Sequence, residues 1–241
     1  MLESVILKAG DKEHLVQDIE KFKAAKERYF QLGVPYHWGY LFYGLPGTGK
    51  TSLISALAAK LGMPIYALSL TDFNDKTLMK AIRDVPPNSV IPFEDIDCMT
   101  TGKARLDPEE WAKKQMQNSP DDKTDPLDRF GVTLSGLLNV LDGFNAPDNV
   151  LFIMTTNKIE TLDQALLRPG RIDYRLYLGK AAEEQKIELY IRFFPRASTS
   201  EAREFVETHG SAETMAEFLG LLLGLEQHRP TSQTDRVLQN S

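Results

Sequence analysis

Cysteine is nearly absent from this sequence, and long hydrophobic runs are missing altogether. Cys98 is the single cysteine among 241 residues, which excludes an intramolecular disulfide and a cysteine zinc site and fits a reducing compartment. The most apolar C-terminal run, FLGLLLGL at 218–225, is far below the ~20 residues needed to cross a bilayer. The start, MLESVILKAGDKEHL, shows no signal-peptide or transit-peptide pattern. The sequence therefore predicts a soluble chain without a membrane span, in a reducing intracellular compartment.

Positive charge and clustered histidines are also scarce. The chain has 28 Lys and Arg against 34 Asp and Glu, which gives a formal net charge of -6. This balance provides no global electrostatic footprint for nucleic acid, so no nucleic-acid partner is predicted. The four histidines, His14, His37, His209 and His228, are scattered without the spacing of a metal site.

Five short apolar runs alternate with helical patterns along most of the chain. Continuous apolar strands separated by helices indicate a parallel sheet that is covered by helices on both faces. Pro92 within the third run removes a ladder donor and is a departure from this pattern. The predicted fold class is therefore α/β with a five-stranded parallel sheet. The predicted strands are GYLFYG (39–44), IYALSL (65–70), SVIPFED (89–95), VLFIMTTN (150–157) and RLYLG (175–179).

Two segments interrupt the alternation and define the predicted domains. Residues 102–130 are polar and rich in proline, which predicts an exposed insertion. From 181 onward the pattern is purely helical, and the last residues contain few apolar side chains. The sequence therefore predicts a large α/β domain at 1–180 and a small helical lid domain at 181–241 with a frayed tail.

The first predicted strand leads into GLPGTGKT at 44–51, which fits the phosphate-loop pattern between a strand and a helix. Glycines allow successive N–H groups to turn toward phosphate oxygens, and the helix adds the positive end of its dipole. In this pattern Lys50 reaches the terminal phosphates of a bound nucleotide, and the Thr51 hydroxyl can bind magnesium (Mg2+). The predicted nucleotide-binding residues are Gly44, Leu45, Pro46, Gly47, Thr48, Gly49, Lys50, Thr51 and Ser52.

The third and fourth predicted strands end in carboxylates and an amide. VIPFEDIDC places Glu94, Asp95 and Asp97 at a strand end. A nucleoside triphosphate site needs one carboxylate for magnesium and commonly another to orient or deprotonate the attacking water. Strand alternation predicts that Glu94 and Asp95 divide these roles, and which takes which stays open. Asn157 either holds the attacking water without adding negative charge or caps the next helix. The predicted metal ligands are Thr51, Glu94 and Asp95.

Two arginines flank a Pro-Gly turn in LDQALLRPGRID. The guanidinium groups of Arg168 and Arg171 suit bidentate contacts with phosphate. Such arginines can act across a subunit boundary and complete the site of a neighbouring chain. The alternative is a pair of surface salt bridges around the turn.

These motifs in this order resemble the AAA family of ring-forming ATPases: GLPGTGKT, an acidic strand end, MTTN and LDQALLRPGRID, followed by a helical segment. SVILKAGDKEHLVQDIEKF, ALSLTD, the order Glu-Asp and GVTLSGLLNVLDGF also resemble the branch that includes the mitochondrial Rieske iron–sulfur protein translocase, a chaperone of cytochrome bc complex assembly. The resemblance covers residues 3 to about 195 and implies a P-loop NTPase fold with the following roles. Lys50 and Thr51 match the Walker A motif, Glu94 and Asp95 the Walker B motif, Asn157 the first sensor, and Arg168 and Arg171 the arginine fingers.

The same resemblance implies a function. It is magnesium-dependent hydrolysis of ATP by a homo-oligomeric ring, with arginine fingers in trans, coupled to remodelling or translocation of a protein client. The translocase has a membrane span ahead of its ATPase module, and this sequence shows none. A cytoplasmic location is therefore expected, or a mitochondrial one if such an N-terminal anchor exists. The alternative function is a nucleotide-gated scaffold that binds ATP and hydrolyses little, which Pro92 and the Glu-Asp order favour. Phe73, in TDFNDKT, either touches a client or packs in the core.

Overall fold

The computed structural model describes residues 2–97, 99, 131–142 and 147–228. Backbone contacts divide the chain into two compact units, Met1–Leu178 and Gly179–Ser241. Cys98, the predicted insertion and the predicted frayed tail lie outside the described residues. No helix of the described part is long and apolar enough to cross a membrane.

The first unit is built on a parallel sheet of β1 (His37–Tyr43), β2 (Val90–Phe93), β3 (Val150–Thr156) and β4 (Tyr174–Tyr177). The order of the strands in the sheet is β2-β3-β1-β4. β1 pairs with β3 along its whole length, from His37 opposite Val150 to Tyr43 opposite Thr156. Because all pairs are parallel, the carboxyl ends of β1, β2 and β3 lie along the same edge of the sheet.

The described sheet has four strands, and the predicted fifth strand at 65–70 is wrong. This segment forms one isolated parallel bridge to Val90. There, Val90 N–H donates to the Pro64 carbonyl and Tyr66 N–H donates to the Val90 carbonyl, both at 2.9 Å. The backbone N–H groups of alternate residues in a strand point toward the same neighbouring strand. The next donor toward the 65–70 segment after Val90 would therefore be the N–H of residue 92. Pro92 has no N–H, and the ladder ends after one bridge.

Helices cover both faces of the sheet. In β1, Leu41 lies in a core with Leu78 and Leu137, whereas Phe42 lies in a second core with Leu53 on the opposite face. This alternation follows from the period of two in a strand and explains why β1 is apolar on both sides. The helices of this unit are α1 (Asp11–Ala24), α2 (Lys26–Leu32), α3 (Lys50–Leu61), α4 (Asp75–Arg83) and α5 (Leu134–Leu141), with 3₁₀ turns at Leu2–Ser4 and Ile159–Thr161.

Polar caps fix the start of the two helices on the α4–α5 face. The Asn74 side chain accepts from Thr77 N–H at 2.8 Å and forms a capping box at the start of α4. The Thr133 hydroxyl accepts from Gly136 N–H at 3.0 Å at the start of α5. Asp75 also accepts two hydrogen bonds from Thr133, each 2.6 Å long, and thereby links the two helix starts.

The second unit is a helical unit with its own core. Its helices are α6 (Glu183–Phe193), α7 (Thr199–His209) and α8 (Met215–His228). Ser198 and Glu201 form a capping box that starts α7. The core of the unit is lined by Tyr190, Ala202, Val206, Ala212, Phe218 and Leu222.

Candidate functional site

The glycine loop lies between the end of β1 and the start of α3. Gly44, Gly47 and Gly49 have φ values of 138°, 75° and 95°, which side chains other than glycine rarely adopt. A Cβ on Gly44 would lie 2.1 Å from the carbonyl oxygen of Leu178, so this position also needs glycine for a close approach. The first N–H groups of α3 have no partner within the helix and point at the loop. The backbone therefore forms a cradle of the kind that binds phosphate.

Lys50 places its ammonium group at the mouth of this cradle. Its Nζ donates to the carbonyls of Gly44 and Leu45, at 2.8 and 2.9 Å, and to Asn157 Oδ1 at 2.7 Å. The residue is buried. Burial lowers the pKa of Lys50 from its ordinary value, and the charges of Asp95 and Asp97 oppose that shift. A cation held among carbonyl and amide oxygens in this way has a strong preference for an added anion.

Two carboxylates follow β2 and contact different partners. Thr51 Oγ1 donates to Glu94 Oε2 at 2.6 Å, and Asn157 Nδ2 donates to Asp95 Oδ1 at 3.2 Å. Asp95 has a φ of 51°, in the left-handed region that a non-glycine residue adopts at some cost. Glu94 thus lies beside the hydroxyl of the loop helix, and Asp95 beside the amide at the end of β3.

The oxygen atoms of Thr51 and Glu94 fit a magnesium ion. Magnesium prefers oxygen ligands and is usually held by one or two protein groups together with substrate phosphates and water. A hydroxyl and a carboxylate whose oxygens are 2.6 Å apart at the mouth of a phosphate cradle meet that requirement. No group of three or more His, Cys, Asp or Glu side chains able to hold a metal by themselves occurs in the described part of the chain.

The strand-end segments of β2 and β3 are joined by side-chain hydroxyls that the sequence analysis did not single out. Asp95 N–H donates to Thr155 Oγ1 at 3.0 Å. Thr156 Oγ1 donates to Asp97 Oδ1 at 2.8 Å. Both threonines are buried. Consecutive threonines directly before Asn157, at the end of an otherwise apolar strand, were the sequence signal for this connection.

The two arginines are placed differently. Arg171 makes a bidentate pair with Asp142, through Nε at 2.6 Å and Nη2 at 2.9 Å, and its Nη1 donates to the Ala165 carbonyl at 2.8 Å. Hydrogen bonding to Asp142 raises the pKa of Arg171, and the same hydrogen bond lowers the pKa of Asp142. Arg168 is exposed. Asp142, which caps the C-terminus of α5, was not anticipated from the sequence, because nothing local links it to a turn 29 residues away.

Both arginines lie at the opposite end of the sheet from the glycine loop. A Cβ on Gly39 would lie 1.7 Å from the Arg171 carbonyl oxygen, so the arginine turn is beside the first residues of β1. Gly39 precedes Tyr43, the last residue of β1, by four positions, or about 13 Å at ~3.3 Å per residue. The structure therefore brings the loop, Glu94, Asp95 and Asn157 together and separates the two arginines from them.

The remaining predicted residues are located as follows. Thr48 is buried, and its hydroxyl donates to the Leu45 carbonyl at 2.9 Å, which closes the loop on itself. Ser52, on the first turn of α3, and Pro46, at the loop tip, are exposed. Phe73 is half-buried and packs against the core on the α4–α5 face, which favours the packing role over contact with a client.

Comparisons with known proteins agree with this geometry. A model of the "ATPase family associated with various cellular activities (AAA)" matches residues 40–180. "Mitochondrial chaperone BCS1" of Danio rerio is 38% identical over 218 residues, covering 88% of this chain and 48% of that protein. The protein of the same name in Homo sapiens is 36% identical over 208 residues, covering 86% of this chain and 46% of that protein. "Protein HYPER-SENSITIVITY-RELATED 4" of Arabidopsis thaliana is 40% identical over 171 residues, covering 70% of this chain and 28% of that protein.

The chain spans about half the length of the BCS1 relatives that it matches. The family match, in contrast, runs from within β1 to just after β4. It includes the cradle, the strand-end carboxylates, the amide and the arginine turn in one continuous range. By that match, which covers more than half of its residues, the chain belongs to the AAA family of ATPases.

Proposed function

We propose that this protein hydrolyses ATP with magnesium as a homo-oligomeric ring and uses the energy to remodel or translocate a protein client. The observation that carries the proposal is the position of Asn157. Its side chain accepts from Lys50 Nζ and donates to Asp95 Oδ1, so the phosphate-binding cation and a candidate base share one neutral amide. This is the arrangement needed to hold water against a terminal phosphate.

Binding is assigned to the glycine loop and the start of α3. The loop N–H groups hold the phosphate chain, and the Lys50 ammonium exchanges carbonyl contacts for oxygens of the terminal phosphates. Thr51 and Glu94 hold the metal. Bound magnesium supplies neutralisation of the charge on the phosphate oxygens. The Lys50 ammonium and the loop N–H groups would offset the remaining negative charge of the phosphates.

The contacts of Glu94 and Asp95 suggest how their roles are divided. Glu94 is next to Thr51, on the metal side, and Asp95 is next to Asn157, on the water side. Asp95 therefore accepts the proton of the attacking water, while Asn157 orients that water for in-line attack on the terminal phosphate. Phosphate leaves with the new P–O bond to the water oxygen, and ADP takes the electron pair of the broken bond. This division matches the order of the two residues in the chain, with Glu94 on the magnesium side and Asp95 as the base. It is the reverse of the usual chemical assignment, in which the aspartate binds magnesium.

The location of the arginines supports a ring. Arg168 is exposed, and its turn lies beside the first residues of β1, at the end of the sheet opposite the loop, so it is poorly placed for the nucleotide of its own chain. A neighbouring chain in a head-to-tail ring can present it to that nucleotide. Heterologous contacts of this kind close into rings when the rotation between subunits permits. Arg171 lies in the same turn and is held by its hydrogen bonds to Asp142.

The client and compartment assignments rest on the names of the relatives. BCS1 proteins are named mitochondrial chaperones, and a chaperone role with a protein client, in the mitochondrion, is therefore proposed here. The α/β domain at 1–180 would carry catalysis, and the helical segment at 181–241 would act as its lid. The second candidate function is a nucleotide-gated scaffold, which the strained backbone of Asp95 favours if it holds that carboxylate away from the water.

The test is the ATPase rate per subunit as a function of protein concentration, with the assembly state measured in parallel. Lys50→Ala serves as the blank. Arg168→Ala is mixed into wild type at increasing ratios, and Arg203→Ala, on an exposed face of α7, is the matched arginine control. We expect a rate that rises with assembly and is lost in the Lys50 variant. Added Arg168→Ala should depress the rate of wild-type subunits, whereas Arg203→Ala should not.

Two outcomes would count against the motor. Assembled protein that binds ATP with a rate no higher than the blank would establish the scaffold instead. A rate proportional to wild-type subunits at every mixing ratio would show that Arg168 acts within its own chain or not at all.

A further inference from the structure

Asp97 is the third carboxylate of the acidic strand end, and the proposed mechanism gives it no role. It follows Asp95 by two positions and is half-buried. Its Oδ1 accepts from the Thr156 hydroxyl at 2.8 Å and from the backbone N–H of Asn157 at 3.4 Å. The carboxylate thus contacts the backbone of the residue whose side chain joins Lys50 to Asp95.

The Thr156 side chain extends this contact. Its oxygen donates to Asp97 and accepts from Lys158 N–H at 3.0 Å, so one hydroxyl ties both sides of Asn157 to the strand end of β2. Thr156 is fully buried, with 0% of its surface exposed. Its carbonyl also accepts from Gly44 N–H at 3.2 Å. The segment that carries the amide is therefore fixed to both the acidic strand end and the glycine loop.

We propose that Asp97 is a positioning residue for ATP hydrolysis, which fixes the Asn157 amide through Thr156 and the Asn157 backbone N–H. The inference rests on the proposed function. An amide that orients water must hold both its oxygen and its nitrogen in place, because a displacement of about 1 Å costs on the order of 100-fold in rate. Contacts that orient a reacting group without touching substrate are worth about 10- to 100-fold when removed.

The positions of the donors allow the hydrogen-bonding role of Asp97 to be tested separately from its charge. Both described donors reach the same atom, Oδ1, and an asparagine at this position keeps an oxygen there. Asp97→Asn should therefore retain most of the turnover. Asp97→Leu has similar volume but no acceptor, so the Thr156 hydroxyl and the Asn157 N–H both lose their partner.

The experiment measures kcat and KM for ATP in the assembled protein. We expect Asp97→Leu to lower kcat by on the order of 10- to 100-fold, with KM within about 3-fold of wild type because Lys50 and the loop are intact. Asp97→Asn should stay within about 3-fold of the wild-type kcat. Thr156→Val removes the hydroxyl at nearly constant volume and should lower kcat by about 10-fold, whereas Thr156→Ser, which keeps the hydroxyl, should restore it.

A second readout does not depend on turnover. Amide hydrogen exchange of the peptide that spans Asn157 should accelerate in Asp97→Leu and stay unchanged in Glu160→Ala, an exposed control on the same segment. If the wild type hydrolyses ATP and kcat is unchanged in Asp97→Leu and Thr156→Val, the positioning role is overturned and the proposed function is not. Unchanged exchange at Asn157 also overturns it. No turnover in assembled wild type above the Lys50→Ala blank refutes the proposed function, and the positioning role with it.

Discussion

Replacement of Arg171 should destabilise the fold, whereas replacement of Arg168 should not, although both arginines flank the same turn. Arg171 makes three hydrogen bonds, two of them to the Asp142 carboxylate, and its side chain is 17% exposed. Hydrogen bonds to charged groups contribute about 1.5–3 kcal/mol each when buried. The Asp142 side chain is 36% exposed, so solvent screening reduces this sum. We expect Arg171→Ala to lower the free energy of unfolding by about 1–2 kcal/mol, and the exposed Arg168→Ala by at most about 0.5 kcal/mol.

The assay is urea unfolding of both single variants, of Asp142→Asn and of the double variant. The cycle should give a coupling energy of about 1 kcal/mol between Arg171 and Asp142. The pH dependence provides an independent check. Arg171 holds the pKa of Asp142 below its ordinary value. The stabilisation is therefore complete at pH values above the unfolded pKa of about 3.9. It is lost as the pH falls through the lower, folded pKa, because the folded carboxylate then takes up a proton.

Equal loss of stability in Arg168→Ala and Arg171→Ala, or a coupling energy near zero, would refute the reasoning. A coupling energy near zero would mean that Asp142 does not hold Arg171 in solution, and equal losses would mean that the hydrogen bonds of Arg171 add no stability beyond that of Arg168. The expected result would assign the two arginines different tasks. Arg171 would hold the turn, and Arg168 would contribute little to the stability of its own chain.

Two further predictions concern the sheet and the loop. Pro92→Val adds an N–H directed at the Tyr66 carbonyl, so the ladder should extend and amide exchange in 64–70 should slow; unchanged exchange would show that the proline does not end the strand. Gly44→Ala should abolish ATP binding and lower stability by more than about 2 kcal/mol, because the added Cβ would lie 2.1 Å from a carbonyl oxygen. Gly33→Ala, which has open space but a φ of +63°, should cost only about 1–2 kcal/mol and leave nucleotide titrations unchanged. Similar loss of binding in both glycine variants would contradict the close-approach argument.

Local requirements of the backbone could be predicted from the sequence. The glycines at 44, 47 and 49 are spaced for a turn that needs positive φ, and the structure has positive φ at all three. The apolar runs that became β1, β2 and β3 were also predictable, because a strand buried on both faces is apolar along its whole length. Family membership followed from the order of these local motifs and is confirmed by the match over 40–180.

The tertiary structure decided which way backbone groups point and which side chains from distant segments meet. Pro92 was visible as a weak point of its strand, but only the pairing pattern shows that its missing N–H faces the 65–70 segment. The sequence left Glu94 and Asp95 interchangeable, whereas packing places one beside Thr51 and the other beside Asn157. The bond between Arg171 and Asp142 joins two distant loops. Such choices arise from contacts between segments that are far apart in the chain, where the spacing of residues carries no information about which side chains meet.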